Sequence, residues 1–169
     1  MKLIGFIRHN VNLLILLICA IVLMLIAITQ PPERRGDGSE YFQMMLSLSN
    51  HGTPDLRESD ITEYNLLRDK TAKTSVSFEQ DKTSNLASNS GYVKTKSGKT
   101  YSVHFWFYSL AAVPAKWYLQ TTGLDGFKAF QITNALLLIF ALYAVLFESG
   151  FSKYKKWLFS ALVLFSPAL

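Results

Sequence analysis

Residues 11–29 read VNLLILLICAIVLMLIAIT, nineteen positions without a charge and built almost wholly from Leu, Ile, Val, Met and Ala. At about 1.5 Å per residue, a helix of that length covers about 29 Å, close to the roughly 30 Å hydrocarbon core of a bilayer. A second uncharged run of nineteen, AFQITNALLLIFALYAVLF, occupies 129–147. A third begins WLFSALVLF and fills 157–169. Its thirteen residues are too few to cross, so it is expected to be the start of a third span in a longer multi-pass protein. These runs predict an all-α integral membrane protein and exclude an ordinary soluble globular domain.

Composition agrees. Half of the 169 residues are hydrophobic and 17% are charged, against about 25% in a typical soluble domain. The net charge of +5 is unevenly placed. Residues 30–104 carry ten Lys/Arg and ten Asp/Glu, whereas Lys2, Arg8, Lys116, Lys128, Lys153, Lys155 and Lys156 flank the apolar runs. That is the distribution that orients a chain in a membrane, and it argues against nucleic acid as a partner. Cys19 is the only cysteine, which excludes an intrachain disulfide and a thiol-redox pair.

Charge and turn residues then set an expected topology. Residues 1–10 are a basic, cytoplasmic N-terminus and 11–29 the first transmembrane helix, ended by Gln30-Pro31-Pro32 because proline lacks the amide a helix needs. Residues 30–103 form a long extracytoplasmic loop. Within it, 39–50 reads as a short helix, apolar on much of its surface and suited to lie along the membrane or to pack on other spans; His51-Gly52-Thr53-Pro54 stops it. Residues 56–90 are polar and poor in aromatics, and weak structure is expected there. Residues 92–95 and 100–103, joined by Lys96-Ser97-Gly98-Lys99, predict a small β-hairpin. The aromatic segment 104–120 is short and holds Pro114, so it is expected to be interfacial or re-entrant. The second transmembrane helix (127–147) then runs inward and makes 148–156, with its lysines, a cytoplasmic loop. The protein is expected in a plasma membrane, of the bacterial inner-membrane kind.

Few side chains invite chemistry. Asp37 and Glu40 lie in Gly36-Asp37-Gly38-Ser39-Glu40-Tyr41, just beyond the first span. A carboxylate there could take a proton from a hydroxyl, or help hold a divalent cation such as magnesium or manganese, with Asp37 the ligand. Asp followed three residues later by Glu is also close to a capping box, and both roles can coexist in Asp37. His104 could contact a lipid phosphate or shuttle a proton, or simply serve as an interfacial polar residue. Lys116 could meet a phosphate, although lysines of apolar helices commonly snorkel. His51 suits a helix C-terminus, and Arg34 and Arg35 suit lipid headgroups.

The order of these parts is similar to the N-terminal region of the GT-C superfamily of membrane glycosyltransferases, which includes protein O-mannosyltransferases and the aminoarabinose transferases of lipid A. The likeness rests on the basic start and first span, the acidic residue opening the outer loop, and Glu40-Tyr41-Phe42. It extends to the helix ending in Asn50-His51-Gly52-Thr53-Pro54, the aromatic half-helix ending near Pro114, and Gly123-Leu124-Asp125-Gly126-Phe127-Lys128-Ala129-Phe130-Gln131 before the next span. Residues 56–90 stand outside it as an insertion. The resemblance implies transfer of a sugar from a polyprenyl-phosphate donor lipid to an acceptor on the outer side of the membrane. It also implies that Asp37 is the catalytic carboxylate and Glu40 its acidic neighbour, with His104 near the carrier phosphate. A non-enzymatic membrane protein whose outer loop binds a partner remains the alternative. A transporter fragment ranks behind both, because the two complete apolar runs contain no ionisable side chain other than Cys19 and Tyr143.

Overall fold

A computed structural model describes residues 2–33, 37–71, 91–148 and 150–165. The chain divides into two compact units, one formed by Pro31–Phe130 and the other by Met1–Gln30 with Gln131–Leu169.

The terminal unit is helical. Its elements are α1 (Lys2–Thr29), α5 (Ala129–Tyr143), which runs on into a π turn at Ala144–Glu148, and α6 (Lys153–Phe165). Two helical stretches, Asn10–Thr29 and Gly126–Glu148, are long and apolar enough to cross a membrane, and both are mostly unburied, with 22% and 28% covered. On α1 a narrow stripe of Asn12, Cys19, Leu23 and Ala27 is buried, while Leu13, Leu14, Leu17, Ile18, Ile21 and Leu25 are exposed. One polar knot ties the unit together. Leu146 lies in the last helical turn, where carbonyls lack an intrahelical partner. Its oxygen accepts from Asn12 Nδ2 at 3.0 Å and from the buried Lys156 Nζ at 2.8 Å. The N-terminal third of α1 therefore meets the end of α5 and the start of α6.

The middle unit is built around α2 (Gly38–His51), ended by Gly52 at φ 71°, a left-handed position that glycine occupies without strain. Phe42, Gln43, Met44, Met45, Leu46, Ser47 and Leu48 are all buried. A helix covered on nearly every side is a core element. The apolar surface expected to lie along a membrane or on other spans is here taken up by α3 (Glu58–Thr71), α4 (Phe107–Thr122) and β1 (Asp55–Leu56).

Helix α3 itself corrects the expected weak structure over 56–90; residues 72–90 lie outside the described ones. Glu58 and Asp60 in its first turn and Arg68 and Lys70 in its last complement the helix dipole. Asp60 Oδ2 also accepts from Arg57 N at 2.9 Å, which satisfies an amide at the helix entry. Ile61 and Tyr64 supply the buried side.

The hairpin expected at 92–103 is present as β2 (Tyr92–Lys94) and β3 (Thr100–Ser102), antiparallel with Val93 opposite Tyr101. Its turn uses Gly98 at φ 84°. On the other side of β3, β1 adds a third strand with Asp55 opposite Tyr101, so the sheet order is β1-β3-β2.

Helix α4 does not end near Pro114 but runs through it to Thr122. Proline removes a single helical hydrogen bond, and Pro114 sits on the exposed side. Ser109, Ala112, Val113, Lys116 and Leu119 are buried, whereas Phe107, Leu110, Trp117 and Tyr118 are exposed. Aromatic rings cement the unit. Phe42 meets Phe127 at 4.5 Å and Phe130 at 4.7 Å, and Tyr64 meets Phe127 at 5.5 Å, all edge to face.

Candidate functional site

Asp37 stands at the N-cap of α2, with φ −78° and ψ 15°, and its side chain makes no capping bond. Only its carbonyl serves the helix, accepting from Glu40 N at 3.1 Å and Tyr41 N at 3.3 Å. The capping box suggested by the Asp37–Glu40 spacing is therefore not formed, and both carboxylates are available for other work. They converge on His104, which lies between β3 and α4. Its Nε2 is 2.5 Å from Glu40 Oε2 and 3.5 Å from Asp37 Oδ2. Side-chain exposure grades across the group: Asp37 63%, His104 24% and Glu40 14%.

Neighbours hold the imidazole in place. The His104 amide donates to Ser102 Oγ at 3.1 Å, and the ring lies 5.1 Å from Tyr41. Tyr41 in turn meets Tyr108 at 5.8 Å, and Tyr108 meets Phe130 at 5.0 Å, so a chain of rings runs from the site into the core. Ser109 Oγ donates to the Tyr41 carbonyl at 3.0 Å and pins α4 to α2 behind the site.

The hairpin closes the other side. A Cβ on Gly91 would collide with the Glu40 carboxylate, so glycine lets the backbone come this close without moving that side chain. The next residue, Tyr92, donates its hydroxyl to Oε1 of the fully buried Gln43, one turn beyond Glu40 on α2. Gly91, Tyr92 and Gln43 carried no motif that sequence reasoning could find; they join the site only because a hairpin folds over a helix far away in the chain.

Asp37, Glu40 and His104 each bring one donor atom to within 4.8 Å of the other two, which fits a divalent cation. Among the described residues this is the group of three such side chains that can do so. It can equally take a proton on Asp37, the exposed carboxylate, with Glu40 and His104 setting its surroundings.

Lys116 is elsewhere. It is 2% exposed, and its Nζ donates to Glu63 Oε1 at 3.1 Å, Ser49 Oγ at 3.1 Å and Asn50 Oδ1 at 3.3 Å. Those partners lie near the C-terminal end of α2, roughly 15 Å along the helix from Glu40 at 1.5 Å per residue. A lysine so engaged serves as a counter-ion within the fold, apart from the group formed by Asp37, Glu40 and His104. His51 belongs to the same hydrogen-bonded network: Nε2 lies 3.0 Å from Asp60 Oδ2, and Asn50 Nδ2 donates to Asp60 Oδ1 at 3.1 Å. Asp125, in the motif before the second apolar run, caps the turn at Gly126–Lys128 by accepting from Phe127 N at 3.0 Å. Arg34 and Arg35 lie outside the described residues.

No family model matches the chain, and neither the comparison with curated proteins nor that with solved structures finds a match.

Proposed function

We propose that the chain is the N-terminal part of a membrane glycosyltransferase that moves a sugar from a polyprenyl-phosphate donor to an acceptor hydroxyl at the extracytoplasmic face. The observation that carries this reading is the meeting of Asp37 and Glu40, from the start of α2, with His104, from the start of the aromatic segment. These are the residues to which the GT-C resemblance assigns the chemistry.

In this reaction Asp37 accepts the proton of the acceptor hydroxyl, whose oxygen forms the new bond to the anomeric carbon. The bond from that carbon to the phosphate oxygen breaks, and polyprenyl phosphate leaves with the electron pair. A general base must lie within hydrogen-bond reach of the proton it takes, which favours the exposed Asp37 over Glu40. Glu40 orients His104, and His104 faces the carrier phosphate, where an imidazole N–H is a suitable donor.

Two further observations support a membrane setting. Two helical stretches are long and apolar enough to span. In the middle unit, Phe105, Trp106, Phe107, Leu110, Trp117 and Tyr118 are all exposed, the aromatic surface that membrane interfaces select. Within the terminal unit, the Asn12–Leu146–Lys156 knot brings the N-terminal part of α1 to the same end as Lys153, Lys155 and Lys156. That supports a cytoplasmic location for both.

The test is sugar transfer by the full-length protein in membranes supplied with a polyprenyl-phosphate sugar. Asp37→Asn is expected to lower transfer by about 10²–10⁴-fold, the usual worth of a general base. Unchanged transfer at normal expression removes Asp37 from the mechanism and favours a loop that binds a partner.

A further inference from the structure

We infer that His51 is a proton-operated clasp: with both ring nitrogens protonated it ties the end of α2 to the entry of β1 and to α3, and loss of one proton releases the tie. The clasp lies apart from Asp37, Glu40 and His104 and does not depend on the sugar-transfer reading. His51 Nδ1 is 2.8 Å from Thr53 Oγ1, and Nε2 is 3.0 Å from Asp60 Oδ2. Thr53 has one hydroxyl proton, and it is directed at Asp55 Oδ1. That bond holds the Asp55 carboxyl below the ordinary carboxylate range, so Asp55 is ionised and only accepts. The Thr53 oxygen then has lone pairs alone to offer His51, and Nδ1 carries a hydrogen. On the other side Asp60 is an acceptor: Oδ2 accepts from Arg57 N at 2.9 Å, and Oδ1 from Asn50 Nδ2 at 3.1 Å. The Asn50 amide is fixed in this sense, because its Oδ1 accepts from Lys116 Nζ at 3.3 Å and its Nδ2 donates to Glu63 Oε2 at 2.7 Å. The proton between Asp60 and Nε2 rests on the imidazole, the stronger base. A ring with two N–H groups is a cation.

The surroundings suit that charge. Asp60, fully buried, is in contact with the ring, and the Asp55 carboxylate is one hydroxyl away. The other charges nearby are engaged with acids: Arg57 and Lys99 face Asp55 at 3.4 and 3.9 Å, and Lys116 faces Glu63 at 3.1 Å. His51 also stands in the last turn of α2, where the helix dipole favours a cation. Remove one proton and the count fails. Either Nε2 turns a lone pair on Asp60, or Nδ1 takes the Thr53 hydroxyl, which then abandons Asp55. One hydrogen bond is lost in both cases, and an acceptor left unanswered at a buried carboxylate is costly. A proton held more firmly by the folded unit than by the unfolded chain stabilises at low pH, and that stability is lost as pH rises and the ring empties. The joint of α2 with β1 and α3 is thus fastened at mildly acidic pH and loosened above it. Because α3 carries Glu63, the loosening reaches Lys116 on α4.

The full chain, with nitrogen-labelled histidine and in detergent, is followed by NMR over about pH 5–8, the range in which imidazoles change charge. It has three histidines, so H9Q and H104Q assign the His51 ring by elimination. The wild-type ring is expected to keep its second proton to higher pH than the same ring in Thr53→Val, where no oxygen faces Nδ1. Amide hydrogen exchange in α3 is expected to quicken as that proton is lost. In thermal unfolding, the wild type is expected to lose about 4–8 °C across the range relative to H51Q, the shift that one lost hydrogen bond gives in a unit of this size. Should H51Q fail to fold, exchange in the wild type carries the test. Equal titration of His51 in the wild type and Thr53→Val overturns the inference, as does α3 exchange that ignores the state of the ring. A melting difference between wild type and H51Q that is the same at both ends of the range overturns it too.

Discussion

Gly91 and Glu40 lie so close that a Cβ on the glycine would meet the carboxylate end of the glutamate side chain. One residue precedes a short strand and the other rides in the first turn of the central helix. A Cβ there would have to push the carboxylate aside from its place beside His104.

Gly91→Ala is therefore expected to displace the Glu40 carboxylate. The atoms it meets are the free end of a flexible side chain, so the cost should stay under about 1 kcal/mol, and thermal unfolding should record it. Gly98→Ala, at a position with open space but a φ of 84°, is expected to cost about 1 kcal/mol from backbone strain and to leave Glu40 and His104 undisturbed. Equal effects of the two substitutions on the site would show that the contact at Gly91 is not what positions it.

Asp37→Asn should separate activity from stability. Its side chain is 63% exposed and caps nothing, so the melting temperature is expected to stay within the scatter of surface substitutions, about 0.5 kcal/mol. A large destabilisation would mean that the carboxylate is structural.

Lys116 and Glu63 form an asymmetric pair, one buried and the other 28% exposed. Glu63→Gln leaves the buried ammonium without its counter-charge and is expected to cost about 1–3 kcal/mol. Lys116→Met removes the charge and keeps the bulk, and should cost less. Denaturant titration of both variants reads the order; a costlier Lys116→Met would contradict it.

Acid should unfold the middle unit partly through Asp55. The Thr53 hydroxyl donates to its carboxylate and holds its pKa below the ordinary value of about 3.9; Lys99 and Arg57 add to this, and burial opposes it. A carboxyl group with a depressed pKa in the folded state gives stability that is present above its unfolded value and lost as pH falls through the folded one. Thr53→Val should therefore move the acid limb of the stability curve to higher pH. An unchanged limb in a pH series followed by circular dichroism would rule Thr53 out as the cause.

Phe127→Ala tests the core. The ring contacts Phe42 and Tyr64 and is 2% exposed, so about 3–5 kcal/mol should be lost.

How far the sequence foretold all this depends on the range of the forces involved. Helices α1 and α5 were legible because an uncharged run of that length has few other fates, and the β2–β3 hairpin because Gly98 marks a local turn. Helix α3 was missed since its buried face is carried by little more than Ile61 and Tyr64, while Leu66 points outward. With α3 hidden, its Glu63 is hidden as a partner of Lys116, for which the sequence suggests only a phosphate or snorkelling. The short β1 pairing has no local signature. Asp37 and Glu40 were found by their position and spacing, and His104 by its place in the aromatic segment. Their convergence, and the enclosure by Gly91, Tyr92 and Gln43, arise from packing between distant elements that one-dimensional patterns do not encode.

The shared acceptor at Leu146 sets an order of events during synthesis. Asn12 emerges from the ribosome long before the carbonyl it will bind, and Lys156 follows ten residues after that carbonyl. Until translation has passed Leu146, the side-chain amide of Asn12 lacks the carbonyl that it meets in the folded unit. The register of α1 is thus fixed only once Lys156, far along the sequence, has been made.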